Sequence, residues 1–339
     1  MLKRVLLMLG ATVMAMVFAQ RTVTNSASTP GGLLVVANQY EHTVLLVDPE
    51  KRAQLAKVTV GVNGHEVMVS NDGHFAYVPI YGNSGVGQPG TDGSTIDVID
   101  LRKRDLAATI DLGKGVRPHR AEFGPDGMLY VTAELANAVD VLDPATRKVI
   151  AEIPTGQEQS HMLVISPDGR RAYTANVGAG SVSVLDLAKR NLVTTIPVAK
   201  RVQRISMTPD GLRVFTHDQH APRIAVIDTT TNKIAAWIEV PTLVYASEPT
   251  PDGRLLLALS QSANRLYVVD LQSLKVVRTF ELPKKPSEIL VAPGGGIAYI
   301  SGTGEGKIAV LNLRTWKLEE AIELTPGVDG MSWMPGGQE

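Results

Sequence analysis

Residues 161–202 read HMLVISPDGRRAYTANVGAGSVSVLDLAKRNLVTTIPVAKRV, and this stretch decides the fold. The turn Pro167-Asp168-Gly169 is followed by a short run, Arg170–Asn176 (RRAYTAN), then a loop and a second run, Ser181–Leu187 (SVSVLDL). The polar turn AKRN leads to Leu192–Val198 (LVTTIPV), and another loop leads to Val202–Met207 (VQRISM) before the next turn. Short runs rich in Val, Thr and Ile, bounded by Gly, Pro, Asn and Asp, are predicted to be strands. Each unit thus holds four strands, named A to D from the innermost outward; A precedes the Pro-Asp-Gly turn and B follows it.

Outward from this unit the turn recurs as Asn71-Asp72-Gly73, Pro125-Asp126-Gly127, Pro209-Asp210-Gly211 and Pro251-Asp252-Gly253, then degraded as Pro293-Gly294-Gly295 and Pro335-Gly336-Gly337. The middle residues 126, 168, 210, 252, 294 and 336 keep a spacing of 42, whereas the interval from 72 to 126 is 54. A period of 40–45 residues with turn residues at fixed offsets marks propeller blades. B strands begin near residues 33, 74, 128, 170, 212, 254 and 296, and A strands at 65, 119, 161, 203, 245, 287 and 329. The first B–C–D set lacks an A strand and the last A strand lacks a B, so Gly330–Met334 is predicted to pair beside Leu33–Asn38. The expected fold is all-β: a seven-bladed β-propeller of four-stranded antiparallel blades, closed by pairing the C-terminal innermost strand with the three N-terminal strands. Closure leaves only short, protected edges. Residues 31–339 are read as one domain, because each blade packs only on its neighbours.

The units resemble the YVTN family of β-propeller repeats. The B-strand motif stands here as Tyr130-Val131-Thr132-Ala133, Tyr173-Thr174-Ala175-Asn176 and, more loosely, Val36-Ala37-Asn38. The closing part of the pattern appears as Val184-Leu185-Asp186, Val226-Ile227-Asp228 and Val269-Asp270. The resemblance covers nearly all of residues 31–339 and implies the fold. It does not choose a function, since such propellers include binding proteins, lactonase-like enzymes and parts of redox enzymes.

Composition narrows the chemistry. Lys plus Arg is 33 against 34 Asp plus Glu, so the basic field used in non-specific nucleic-acid binding is lacking. Zero Cys excludes disulfides, thiolate metal sites and cysteine nucleophiles together. Met1-Leu2-Lys3-Arg4 followed by the apolar run Val5–Phe18 and the small Ala19 reads as a signal peptide over residues 1–19. That run falls short of the ~20 residues that span a bilayer. The expectation is a periplasmic or secreted monomer with no stable membrane insertion after cleavage, and a polar, flexible lead-in at 20–30.

Function is expected at the channel mouth on the face of the D–A and B–C loops, the upper face. The residue that opens strand A is His65, His119, His161, Gln203, Tyr245, Ser287 and Asp329 in successive units. Three consecutive imidazoles at one level are what a metal site with open positions requires, and nitrogen ligation favours copper or zinc. The family pattern itself favours Pro-His before this strand, as in Pro118-His119, so repeat ancestry is the other source of the row. The next residues, Glu66, Arg120, Met162, Arg204, Ala246, Glu288 and Gly330, are expected by strand alternation to turn to the opposite blade face. There Arg120 and Arg204, with Lys114, Arg117, Lys200 and Arg201, would make part of the upper face basic and could hold a carboxylate or phosphate, or pair with Glu66, Glu134 and Glu158. Gln203, Tyr245, Glu134, Asp218 and His217 complete the candidate ligand-binding set, with Asn176 and His220 in the same loops. The insertion Tyr81–Gly93 is read as a mobile flap or an unordered loop above His65. Glu248, in a row of apolar residues, requires water or a partner.

Two readings follow. One is a binding propeller whose upper face takes a small molecule, one transition metal ion or a protein, and no nucleic acid. The other is an enzyme at the same mouth, either metal-dependent through three histidines or lactonase- and cycloisomerase-like, with His119 or His161 as base and Arg120 or Arg204 on a substrate carboxylate.

Overall fold

The turns predicted between strands A and B are found there. The computed structural model describes residues 31–336 except Gly87 and Lys114; the expected signal peptide at 1–19 and lead-in at 20–30, residues 337–339 and Lys114 therefore lie outside the described residues. At the inner turns that carry an Asp, its side chain accepts the backbone N–H two residues on, as Asp168 does from Arg170 and Asp210 from Leu212 at 3.0 and 2.9 Å. The following glycine is left-handed, with φ of 68° at Gly169 and 71° at Gly211, a conformation L-residues adopt at a cost.

Seven antiparallel sheets result. The blade that decided the fold runs Ser160–Ile165, Arg171–Asn176, Ser181–Asp186 and Asn191–Pro197 from the axis outward. The closing blade joins Val328–Pro335 to Gly32–Asn38, Thr43–Asp48 and Ala53–Thr59, in the register Leu34 to Trp333 and Val36 to Met331. In one blade the outer strand is split, Lys317–Leu318 and Ile322–Glu323 both pairing with Lys307–Asn312. Apolar clusters form between consecutive blades. Val182, Val184 and Ile196 of one blade, for example, pack with Val202, Val214 and Ile227 of the next. Such nearest-neighbour packing lets so long a chain fold around one axis.

The A strands depart from simple alternation near the upper mouth. Four of them carry one extra residue against strand B, between Pro118 and Ala121, Ser160 and Met162, Pro286 and Ile289, and opposite Val36–Asn38 in the closing pair. Two residues before the mouth position, Asn63, Arg117, Gln159, Lys285 and Gly327 all have positive φ. The left-handed residue swings the chain inward and the bulge re-aims the side chains that follow. Arg120, Arg204, Glu66 and Glu288 meet one another across the channel, which corrects the expectation that this row faces away into the blades.

Candidate functional site

The channel has an upper and a lower chamber, separated by charged side chains. The upper one, about 220 Å³, is lined by His65, His119, His161 and Tyr81 on one wall and by Gln203, Tyr245, Ser287 and Asp329 on the other. Backbone contacts fix the histidines. Thr132 of the YVTA motif donates to the His161 carbonyl at 2.8 Å and accepts the Arg120 N–H at 2.9 Å. The Gly330 N–H donates to the His65 carbonyl at 2.9 Å; a Cβ on Gly330 would lie 2.5 Å from that oxygen, so only glycine permits the approach.

Tautomers follow from the partners. His65 Nδ1 lies 2.9 Å from the Asn63 carbonyl, which can only accept, so His65 carries its proton there. Its Nε2 is left facing His119 Nε2 at 2.9 Å. His119 is buried, and its Nδ1 has no hydrogen-bond partner among the described residues. Burial, then the neighbouring His161 and His65, hold its pKa well below the usual imidazole range, so it stays neutral. His161 lies against His119 with ring centroids 3.5 Å apart, and its Nδ1 hydrogen-bonds the Glu134 carboxylate. The compact group with ligand atoms within 4.8 Å of one another is His65, Glu66 and His119, with His161 alongside.

Glu134 is fully buried, not a solvated loop charge. It also accepts from Tyr81 Oη at 2.8 Å and has Arg117 at 3.6 Å. Burial pushes its pKa up, but His161, Tyr81 and Arg117 together bring it below the ordinary value. Arg117 grips Asp92 through Nε and Nη2 at 2.8 and 2.6 Å, and Ser84 bonds the same carboxylate at 2.8 Å. The insertion is therefore not a free flap: strands Phe75–Gly82 and Asp92–Asp100 extend into it, and Arg117 ties it beside the histidines.

Below lies the charged septum. Glu66 binds Arg120 at 2.9 Å and Arg204 at 3.1 Å; Arg204 also pairs with Glu288, and Arg120 with Glu122 at 2.5 Å. Arg204 lies over the Tyr245 ring, 4.9 Å from its centroid, and 3.9 Å from Asp329. Burial would raise Glu66, but Arg204 and Arg120 carry its pKa below the usual carboxylate value. Burial dominates at Glu288 and Asp329, whose pKa values rise. Arg120 and Arg204 are thus engaged by protein carboxylates inside the channel instead of forming a basic upper face.

The remaining candidates separate. His217 is buried with Nε2 2.8 Å from Ser247 Oγ, its pKa depressed to about 3 by burial and then Arg204. Asp218 caps its own loop, accepting the N–H groups of His220 and Ala221 at 2.9 and 3.2 Å and pairing with Arg223 at 3.0 Å. Asn176 binds Ser160, Ser181 and Ser183 within its own blade. Sequence reasoning missed Asn63 and the Tyr81 hydroxyl as parts of the site, whereas Arg117 was read as a basic loop residue that could pair with Glu134, as it does at 3.6 Å. Glu134 carried a signal, a carboxylate directly after the buried end of strand B, but its partner in the next blade could not be read from its own unit.

The fold and its polar chamber define a seven-bladed β-propeller. The chain is 30% identical over 124 residues to a seven-bladed beta-propeller protein of Mycobacterium tuberculosis, a match covering 36% of this chain and 29% of that protein. Among solved structures it is similar to Kuenenia stuttgartiensis hydrazine synthase, with a TM-score of 0.72 at 20% identity over 87% of this chain and 99% of that one. A functionally unknown protein from Desulfotomaculum acetoxidans gives a TM-score of 0.74 at 15% identity, over 89% and 98% of the two chains. No family model matches the chain. Among the described residues no helix is long and apolar enough to cross a membrane.

Proposed function

We propose that the protein is an exported binding propeller whose upper chamber holds one transition metal ion on His65 and His119, with His161 alongside. The observation that carries this reading is the pairing of outer nitrogens. His65 Nδ1 is tied to the Asn63 carbonyl, the orientation a metal-bound imidazole requires, and His161 Nδ1 is tied to Glu134 beside it; His119 has no such partner among the described residues and is placed by packing against His161. Neutral imidazoles favour Cu or Zn over harder ions, and burial keeps His119 neutral. Glu66 is near enough to contribute an oxygen, but Arg120 and Arg204 already compete for its carboxylate. Export rests on the leader at residues 1–19.

A second reading has one observation in its favour. The Glu134–His161 pair is a carboxylate-oriented imidazole at a chamber wall, the arrangement of a general base. Under that reading the chamber is an enzyme site, and His161 takes a proton from a bound substrate.

Metal content of untagged, mature protein tests the first reading beside His65→Ala/His119→Ala. Close to one Cu or Zn per wild-type chain and none in the folded variant is expected. No metal in wild type after reconstitution with Cu(II) and Zn(II) overturns it.

A further inference from the structure

The lower chamber, on the inner-turn side of the septum, has its own chemistry. It encloses about 270 Å³ between Phe123, Met162, Val164, Met207 and Ile289, with Glu122, Glu248, Glu288, Ser206 and Ser247 among its polar groups. A single water needs only on the order of 10–15 Å³, so the space suits an organic molecule. Its charges do not balance. Of the residues that line it, Glu122, Glu248 and Glu288 face two guanidiniums, Arg120 and Arg204. Of the three, the Glu248 side chain has neither a hydrogen bond nor an ion pair among the described residues, although it lines the chamber.

A second observation points to a ligand independently of the carboxylates. Arg204 is 4% exposed, it lines this chamber and not the upper one, and its Nε is buried without a hydrogen-bond partner among the described residues. A buried donor left unpaired costs about 1–3 kcal/mol unless something accepts from it. A bare metal ion does not meet these needs. Among the described residues the group with ligand atoms close enough to share an ion is His65, Glu66 and His119, above the septum, and it includes none of Glu122, Glu248 and Glu288. The carboxylates below are spread along the wall, as an extended cation requires.

We propose that the lower chamber is a second binding site, which takes a small primary amine carrying a hydrogen-bond acceptor at its other end. Glu248 holds the ammonium group, Arg204 Nε donates to the acceptor, and the Phe123, Met162 and Met207 side chains cover the methylenes. Burial, with Glu288 nearby, raises the Glu248 pKa to about 8, so Glu248 keeps a proton at pH 7 that the ammonium displaces.

The test is calorimetric titration of the whole protein with 4-aminobutan-1-ol, with 4-hydroxybutyrate as the anionic counterpart. The amine is expected to bind and the anion not. Glu248→Gln is expected to weaken the amine at least tenfold, and His65→Ala/His119→Ala to leave it unchanged, which separates this site from the metal reading. In wild type alone, the binding heat at pH 7 is expected to vary with the buffer's ionisation enthalpy, reporting proton release. No amine binding, unchanged affinity in Glu248→Gln, or anion binding as tight as the amine overturns the proposal.

Discussion

The upper and lower halves of the channel are built by the same A strands, yet they present opposite chemistry. Above the septum, three imidazoles stand at one level, two of them tied at Nδ1 by a carbonyl and a carboxylate. Below it, carboxylates outnumber guanidiniums and Glu248 keeps a proton to about pH 8. A single extra residue in strand A lets consecutive positions both serve the channel, so His119 belongs to one half and Arg120 to the septum. Nearest-neighbour blades supply rigid walls, and the mouth row decides what each wall offers.

The largest expected effect tests whether the halves share one partition. Arg204→Ala leaves Glu66 and Glu288 buried without their main counter-charge, and removing one partner of a buried pair costs about 3–5 kcal/mol. The urea midpoint should fall accordingly; a loss below about 1 kcal/mol would mean that the septum is not what holds the halves apart.

Next comes the contrast across the upper chamber. His119→Ala should weaken Zn(II) or Cu(II) by about a hundredfold or more, whereas Ser287→Ala, at the matching position opposite, should leave it unchanged. Glu134→Gln should cost about 10–100-fold, the usual effect of a group that orients a ligand. Equal losses at His119 and Ser287 in a competition titration would erase the distinction between the walls.

A smaller effect belongs to the lower chamber. The folded protein binds more protons at Glu248 than the unfolded chain does between about pH 4.5 and about pH 8. Stability from this group is therefore present at low pH and lost as pH rises through that window. Glu248→Gln should flatten the fall in urea midpoint between pH 5 and pH 8; an unchanged slope would place the proton elsewhere.

The smallest effect lies outside both halves and serves as their control. Outer turns close on a left-handed residue, Arg52, Arg104, Arg147, Arg190, Asn232, Leu274 and Trp316, of which only Asn232 tolerates the conformation well. Arg147→Asn should add about 0.5–1 kcal/mol by relieving part of that cost, with metal and amine binding both unmoved.

What was legible in the sequence follows the same division. The blades were readable because each Pro-Asp-Gly turn needs an Asp acceptor and a left-handed Gly, and those residue types recur at a fixed interval. Strand B begins at Arg171 and Arg213, one residue from expectation, and the closing pair of Leu33–Asn38 with the last A strand is present. The mouth row was legible as well, since it is one position per repeat. The septum was not, because strand alternation hides a bulge whose cue, a left-handed Arg117 or Gln159, is carried by residues that seldom adopt it. Nor was the burial of Glu134, which depends on His161 in the next blade and on Tyr81 in the preceding one.

Ring closure also orders assembly in time. Gly32–Asn38 keeps an open hydrogen-bonding edge until Val328–Pro335 arrives, from almost the other end of the chain. Bringing segments some 300 residues apart together costs about 5 kcal/mol in loop entropy if the intervening chain is still flexible, and far less once the other blades stand as a preformed arc. The same closing strand delivers Gly330 to the His65 carbonyl and Asp329 to Gln39. An incomplete ring can therefore possess well-made blades and still lack the upper chamber, so that binding there would report the final step of folding.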